Sequence, residues 1–405
     1  MLTRYSRARR IGVLLCCATP AAWAADAGNA FNPKMSLVLQ GTFADYQHDR
    51  PLSFGGFLLD PETEARPEGF SLGETELAVE SNIDDLWHGW AAISFENNAQ
   101  GDSSVSVEEA YVNTLTLPEG LAFKMGRFFS DIGYQNRQHS HAWDFVEAPL
   151  VYQAFYAGQL DDDGLQLKWV APTDVFLEFG AEATRGANYP SGGNHRSGVN
   201  GETAFVHLGG DVGIDYSYRL GASYLHGDSH DRQSNDSSDD SDSGNTYLFT
   251  GKSDIVGLDG VMKWAPQGNA TRRNALLQAE VFRRHESGDV TLGDDSATTA
   301  YRGNAIGAYV QGVVQFMPRW RVGARYDWLS ADNQVPNNAD GAFDIVADDG
   351  HDATRESLMA DYSRSEFSRL RLQFNHDDSR ADGSTDNQIL LQYIFSLGSH
   401  PAHVF

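Results

Sequence analysis

Sixteen stretches of alternating apolar and polar residues, joined by connections that are short and long by turns, constrain this chain more than any other feature. The series begins at residues 34–46, with Leu37, Leu39 and Phe43 on one face and Ser36, Gln40 and Thr42 on the other. It recurs near 70–82, 87–97, 104–116, 120–128, 163–171, 173–185, 202–211 and 214–226. Seven further segments lie near 250–265, 273–286, 303–316, 319–331, 356–362, 366–376 and 386–397. A period of two marks a strand with one wet and one dry face.

The short connections are Asp84-Asp85, Pro118-Glu119, Ala171-Pro172-Thr173, Val212-Gly213, Pro266 to Thr271, Met317-Pro318 and Arg364-Ser365. The long ones are 47–69, 129–162, 186–201, 227–249, 287–302 and 332–355, with shorter members at 98–103 and 377–385. An even strand count with tight turns at one end and long loops at the other predicts an all-β transmembrane antiparallel β-barrel of about sixteen strands. A soluble sandwich does not require that rhythm. No window after residue 25 approaches the ~20 consecutive apolar residues of a membrane helix. A hydrophobic fraction of 41% suits a barrel, which hides its membrane character by alternation.

Residues 1–24 read as a cleaved secretory signal: Arg4, Arg7, Arg9 and Arg10, an apolar core from Ile11 to Cys17, and a small-x-small site at Ala22-Trp23-Ala24. Residues 25–405 are then one barrel domain. Both cysteines, Cys16 and Cys17, fall inside the signal, so the mature chain carries no disulfide. Loss of the four arginines takes the formal charge from -26 to -30, which excludes nucleic acid as a partner. The final residue, Phe405, follows an aromatic-rich last strand and is expected to be read by the outer-membrane assembly machinery. Outer-membrane lipid and lipopolysaccharide are the expected surroundings.

Between Leu121 and Leu160 a short strand opens into a long connection rich in Phe, Tyr and Trp. Long structureless loops are uncommon unless functional, and this one is expected to fold inward at about 129–162 and constrict the lumen. Phe123-Lys124-Met125-Gly126-Arg127-Phe128-Phe129, followed by Ile132-Gly133-Tyr134, resembles the strand-to-loop passage of the phosphate-selective porins O and P. The segment 126–145 also resembles small outer-membrane proteins labelled zinc-regulated receptors. The porin resemblance implies a sixteen-stranded fold, a constricting loop and a homotrimer. The acidic excess departs from the lysine and arginine ladder of anion channels, so phosphate selectivity is not carried over.

If Leu, Val and Phe positions face lipid, alternate positions face the lumen. That rule places Glu74, Glu76, Glu80, Glu96, Glu109, Glu178 and Glu182 inside as an acidic arc with Lys124 and Lys168 among them. Arg219, Arg321, Arg325, Arg369 and Arg371 form a basic arc. The loop adds Asp131, Arg137, Asp144 and Glu147. His139 and His141, beside Asp144, offer imidazole and carboxylate ligands suited to zinc. His226 and His230 lead an acidic run that could collect zinc or calcium at the pore mouth. No cofactor is required. Trp87, Trp90, Trp169, Trp264, Trp320, Trp328, Tyr326 and Tyr393 are expected in the interfacial girdles.

The residues thus point to a porin passing small hydrophilic solutes and preferring cations. Zinc or other divalent-metal uptake and a non-conducting adhesin or structural barrel are the alternatives. No serine pairs with a histidine on the lipid-facing rim, and the glycines lack a nucleotide-binding context, so the chain does not read as an enzyme.

Overall fold

A computed structural model describes residues 33–398 apart from 49–52, 62, 64, 98–102, 194–197, 236–245, 294–296, 339–340 and 348–349. The expected signal at 1–24, the acidic run from 236 and the tail with Phe405 lie outside the described residues. The wall strands are β1 (Lys34–Tyr46), β2 (two pieces, Gly69–Leu72 and Thr75–Asn82), β3 (Trp87–Asn97) and β4 (Ser103–Thr114). They continue as β5 (Leu121–Phe129), β6 (Asp161–Val170), β7 (Phe176–Thr184) and β8 (Gly201–Val212). The next four are β9 (Tyr216–Asn235), β10 (Thr246–Trp264), β11 (Asn274–Leu292) and β12 (Thr298–Met317). The ring finishes with β13 (Trp320–Gln334), β14 (Ala353–Ser365), β15 (Ser368–Asp378) and β16 (Asp386–Gly398).

Each wall strand pairs antiparallel with its neighbours, and β16 returns to β1 with Phe395 opposite Leu39 and Leu391 opposite Phe43. Both pieces of β2 pair with β1, and a two-residue bridge at Gly192–Gly193 only touches β9, so the wall has sixteen strands. Closure removes every free edge, the condition for a sheet to cross lipid. Outward positions carry the apolar belt: Leu39, Leu165, Leu220, Leu258, Leu277, Val310, Leu372 and Leu391 are exposed, with Trp169, Trp320, Tyr326 and Tyr393 among the outward aromatics. Trp90 corrects the girdle expectation. It lies on the lumen face of β3, its ring 6.1 Å from that of His139.

The strands β9 to β12 run 20, 19, 19 and 20 residues, well past the limits near 226, 250, 286 and 303 read from alternation. At about 3.3 Å per residue they outreach an apolar band of about 25 Å. Beyond the belt their outward positions turn polar, so the alternation disappears while the hydrogen-bond ladder continues.

The loop after β5 does fold into the lumen. It contains a short helix α1 (Leu150–Tyr156), whose Leu150, Val151, Tyr152, Phe155 and Tyr156 are fully buried. Two further connections pack on it, which sequence did not anticipate. Phe54 and Phe57 join the apolar cluster around α1, and Tyr189 donates from Oη to the carbonyls of Leu58 (2.9 Å) and Ala154 (3.2 Å).

Candidate functional site

The loop makes a floor across the lumen, fastened to the wall on opposite sides. At its root Ser130 Oγ and the Asp131 amide donate to Glu182 at 2.6 and 2.9 Å, and Lys168 Nζ donates to Asp131 at 3.0 Å. Burial opposes ionisation of Asp131, but Lys168, with Lys124 and Arg137, holds its carboxyl well below the usual range. The chain then crosses to β11, where Glu280 accepts from the amides of Tyr134 (3.0 Å) and Gln135 (2.9 Å) and from Tyr152 Oη (2.8 Å).

The basic arc holds the far side. Arg371 donates to the carbonyl of Trp143 at 2.6 Å, Arg325 to that of Glu147 at 2.8 Å, Arg355 to that of Ala148 at 3.1 Å and Arg284 to that of Ala154 at 3.0 Å. Most of these arginines also hold a wall carboxylate: Arg325 with Asp327 at 2.8 Å, Arg355 with Asp377 at 3.7 Å, Arg284 with Glu286 at 3.6 Å. Arg219 pairs with Asp259 at 3.3 Å, and its guanidinium lies 5.3 Å from the Tyr134 ring, as that of Arg137 does at 5.6 Å. The planar fork of arginine suits this double duty. Arg369 lies on the same lumen face of β15 as Arg371, which is 1% exposed. Arg355 and Arg284 were not singled out in the sequence, and Arg355 falls outside the segment read as strand.

Asp144 is not beside the histidines. It pairs with Arg321 at 2.7 Å, which also binds Asp361, because the chain turns toward β13 directly after Trp143. What surrounds His139 and His141 is the acidic arc. Glu76 Oε2 stands 2.7 Å from His139 Nδ1 and 3.4 Å from His141 Nδ1, Glu108 Oε2 is 3.2 Å from His139 Nδ1, and Glu109 Oε2 is 3.1 Å from His139 Nε2. The two imidazoles stack with centroids 5.6 Å apart. Glu74 lies against Glu108 and Ser140. Burial opposes a charge on His139, yet the carboxylates of Glu108, Glu109 and Glu76 around it push it well above its ordinary value.

Glu108 was missed because strict alternation turns it outward. The register between β3 and β4 slips between Ala92 and Ile93, which face Glu109 and Val107, and this bulge brings adjacent carboxylates to the lumen. Of the other expected acids, Glu178 binds His207 at 2.9 Å, Glu80 binds Lys34 at 3.2 Å, and Glu147 binds Asn375 at 2.8 Å. Lys124 sits 4.5 Å from the Tyr111 ring. His226 and His230 do not meet at the pore mouth. They alternate with the lumen-facing Leu225 and Ser229 and so face outward, His226 hydrogen bonded to Asp254 at 2.8 Å and His230 to Asp231 at 3.2 Å.

Open space remains on both sides of the floor. Toward the long loops, two adjoining cavities of about 660 and 910 Å³ share Glu74, Glu96, Ser106 and Trp143. Together their walls carry eight carboxylates against five arginines. Toward the short turns, a cavity of about 630 Å³ is lined by His141, Arg319, Arg364, Arg369 and Glu366.

A closed barrel with an apolar outer belt and a polar, loop-partitioned lumen defines an outer-membrane β-barrel protein. The chain belongs to the family of an uncharacterized protein of Aquifex aeolicus (strain VF5), with which it is 31% identical over 406 residues, 93% of this chain and 80% of the relative. No family model matches. Among solved structures it is similar in fold to the outer membrane channel DcaP of Acinetobacter baumannii, at TM-score 0.54 and 12% identity over 91% of this chain and 98% of that one. It is similar also to the loop L8 deletion mutant of OmpT, an outer membrane protein of Vibrio cholerae, at TM-score 0.53 and 13% identity over 91% and 100%. The anion-selective porin from Comamonas acidovorans gives TM-score 0.50 at 9% identity over 90% and 99%.

Proposed function

We propose that this protein is a porin, a passive outer-membrane channel for small hydrophilic solutes with a modest preference for cations. The observation that carries the reading is the division of charge around the floor. The five arginines at the outer cavities each hold a partner already: Arg66 the carbonyl of Val146, Arg127 Asp163, Arg232 Glu286, Arg355 Glu147 and Arg380 Asp386. Glu147, Asp377 and Asp161 among the eight carboxylates are held by these same arginines, and the excess of carboxylates over arginines that remains favours a cation over an anion entering from the long-loop side. The inner cavity has three arginines against Glu366, which keeps the preference small. A homotrimer accompanies the porin reading, since OmpT of Vibrio cholerae is described in a trimer form.

The test is the reversal potential of the purified protein in a planar bilayer under a potassium chloride gradient. A potential on the cation side supports the proposal, and one on the anion side refutes its electrostatic half. Absence of conductance would favour the closed-barrel alternative, which draws on the packing of Phe54, Phe57 and Tyr189 over the floor.

A further inference from the structure

We infer that Glu76, Glu108 and His139, with His141 stacked beside them, form a binding site for one divalent transition-metal ion, set in the floor between the outer and inner cavities. Ligand atoms of Glu76, Glu108 and His139 all lie within 4.8 Å of one another. In a tetrahedral zinc site with bonds of about 2.0–2.1 Å, ligand atoms stand roughly 3.3 Å apart. The separations here are 2.7 Å from His139 Nδ1 to Glu76 Oε2, 3.2 Å from the same nitrogen to Glu108 Oε2, and 3.4 Å from His141 Nδ1 to Glu76 Oε2.

A second observation points to an ion rather than to hydrogen bonds among the four. Glu76 is 2% exposed, and its Oε2 receives no hydrogen bond of proper direction even though both imidazole nitrogens are close. A carboxylate so placed needs a cation beside it, and a metal ion bound through the neutral imidazole of His139 supplies one in place of that ring's second proton. The outer shell is also present: His139 Nε2, on the far side of the ring, meets Glu109 Oε2 at 3.1 Å, the carboxylate–histidine arrangement that fixes a metal-binding imidazole. An imidazole nitrogen with two carboxylate oxygens suits zinc or its transition-metal neighbours, whereas calcium takes six to eight oxygens.

Glu108 lines the outer cavity, and His141, stacked on His139, lines the inner one, so a bound ion lies between the two. The site does not depend on whether the barrel conducts, and its test is therefore made in detergent. The full-length folded barrel, stripped with chelator, is titrated with zinc by calorimetry and with cobalt by visible absorption. One zinc per chain and the d–d bands of tetrahedral cobalt are expected. Both are lost in His139→Ala and in Glu108→Gln, while Glu109→Gln weakens binding by about 10–100-fold. His226→Ala with His230→Ala leaves both unchanged. Circular dichroism confirms that each variant is a folded barrel, and Glu108→Gln keeps the test open should His139→Ala fail to fold. Undiminished zinc stoichiometry and cobalt bands in folded Glu108→Gln, or an octahedral cobalt spectrum in the parent, would overturn the assignment.

Discussion

Glu280 is the residue on which the floor depends most. It is 2% exposed and collects the amides of Tyr134 and Gln135 and the hydroxyls of Tyr152 and Tyr309, the last at 2.5 Å. Removing a buried carboxylate strands all of these donors, a loss on the order of 3–5 kcal/mol. Glu280→Ala is accordingly expected to lower the thermal midpoint and to expose Arg137 in the floor to trypsin. Unaltered resistance to trypsin would show that the arginine ladder alone secures the loop. Gly133 works at the same spot. Its φ is +72°, and a Cβ there would collide with Glu280 Oε2 and Tyr152 Oη, so Gly133→Ala should release the loop as Glu280→Ala does. At the root, the depressed Asp131 contributes stability that is complete above the ordinary carboxylate range and disappears as pH falls through its lower folded value. Limited proteolysis on a descending pH series should show the loop yielding only well below about pH 4, the ordinary value. Lys168→Gln should bring the onset to higher pH.

At the scale of elements, sixteen strands were legible because lipid on one side and a wet lumen on the other impose alternation at every membrane-level residue. Where lipid ends, that signal ends. Asp228 and His230 occupy outward positions of β9 and looked like loop, yet Gly227 and Ser229 beside them remain paired with Ser253 and Gly251 of β10. The inward loop was legible in its aromatic content, but its fastening was not, since the arginines grip backbone carbonyls and no side-chain pattern records that. Glu108 was hidden by one inserted residue. Nor did Phe54 and Phe57 announce themselves, because a loop packed on another loop has no periodicity. The Phe57 ring lies 6.2 Å from that of Phe155 and 5.6 Å from the Arg284 guanidinium. Truncation by Phe57→Ala should cost about 3–5 kcal/mol if its neighbours do not collapse into the space. Single-channel conductance should rise with it, and a Phe57→Ala channel of parental stability and conductance would mean that the first loop rests on the floor without supporting it.

Across the whole molecule the floor separates vestibules of opposite sign, and two oppositely charged compartments in series conduct unequally in the two directions. If the protein conducts as proposed, potassium is expected to gather in the outer vestibule, where eight carboxylates face five arginines, and chloride in the inner one, beside Arg319, Arg364 and Arg369. A voltage positive on the long-loop side drives both ions toward the floor and fills it with carriers. The opposite voltage draws both away and depletes it. Oriented channels should therefore pass more current when the long-loop side is positive. The effect needs each vestibule's field to reach across its width, and the screening length falls from about 10 Å at 0.1 M salt to about 3 Å at 1 M. Rectification should be present at the lower concentration and nearly gone at the higher. Arg319→Gln, Arg364→Gln and Arg369→Gln together should remove it at both while moving the reversal potential further toward potassium. A symmetric current at 0.1 M would show that the two vestibules are not traversed in series, and the path would then have to be sought beside the floor instead of across it.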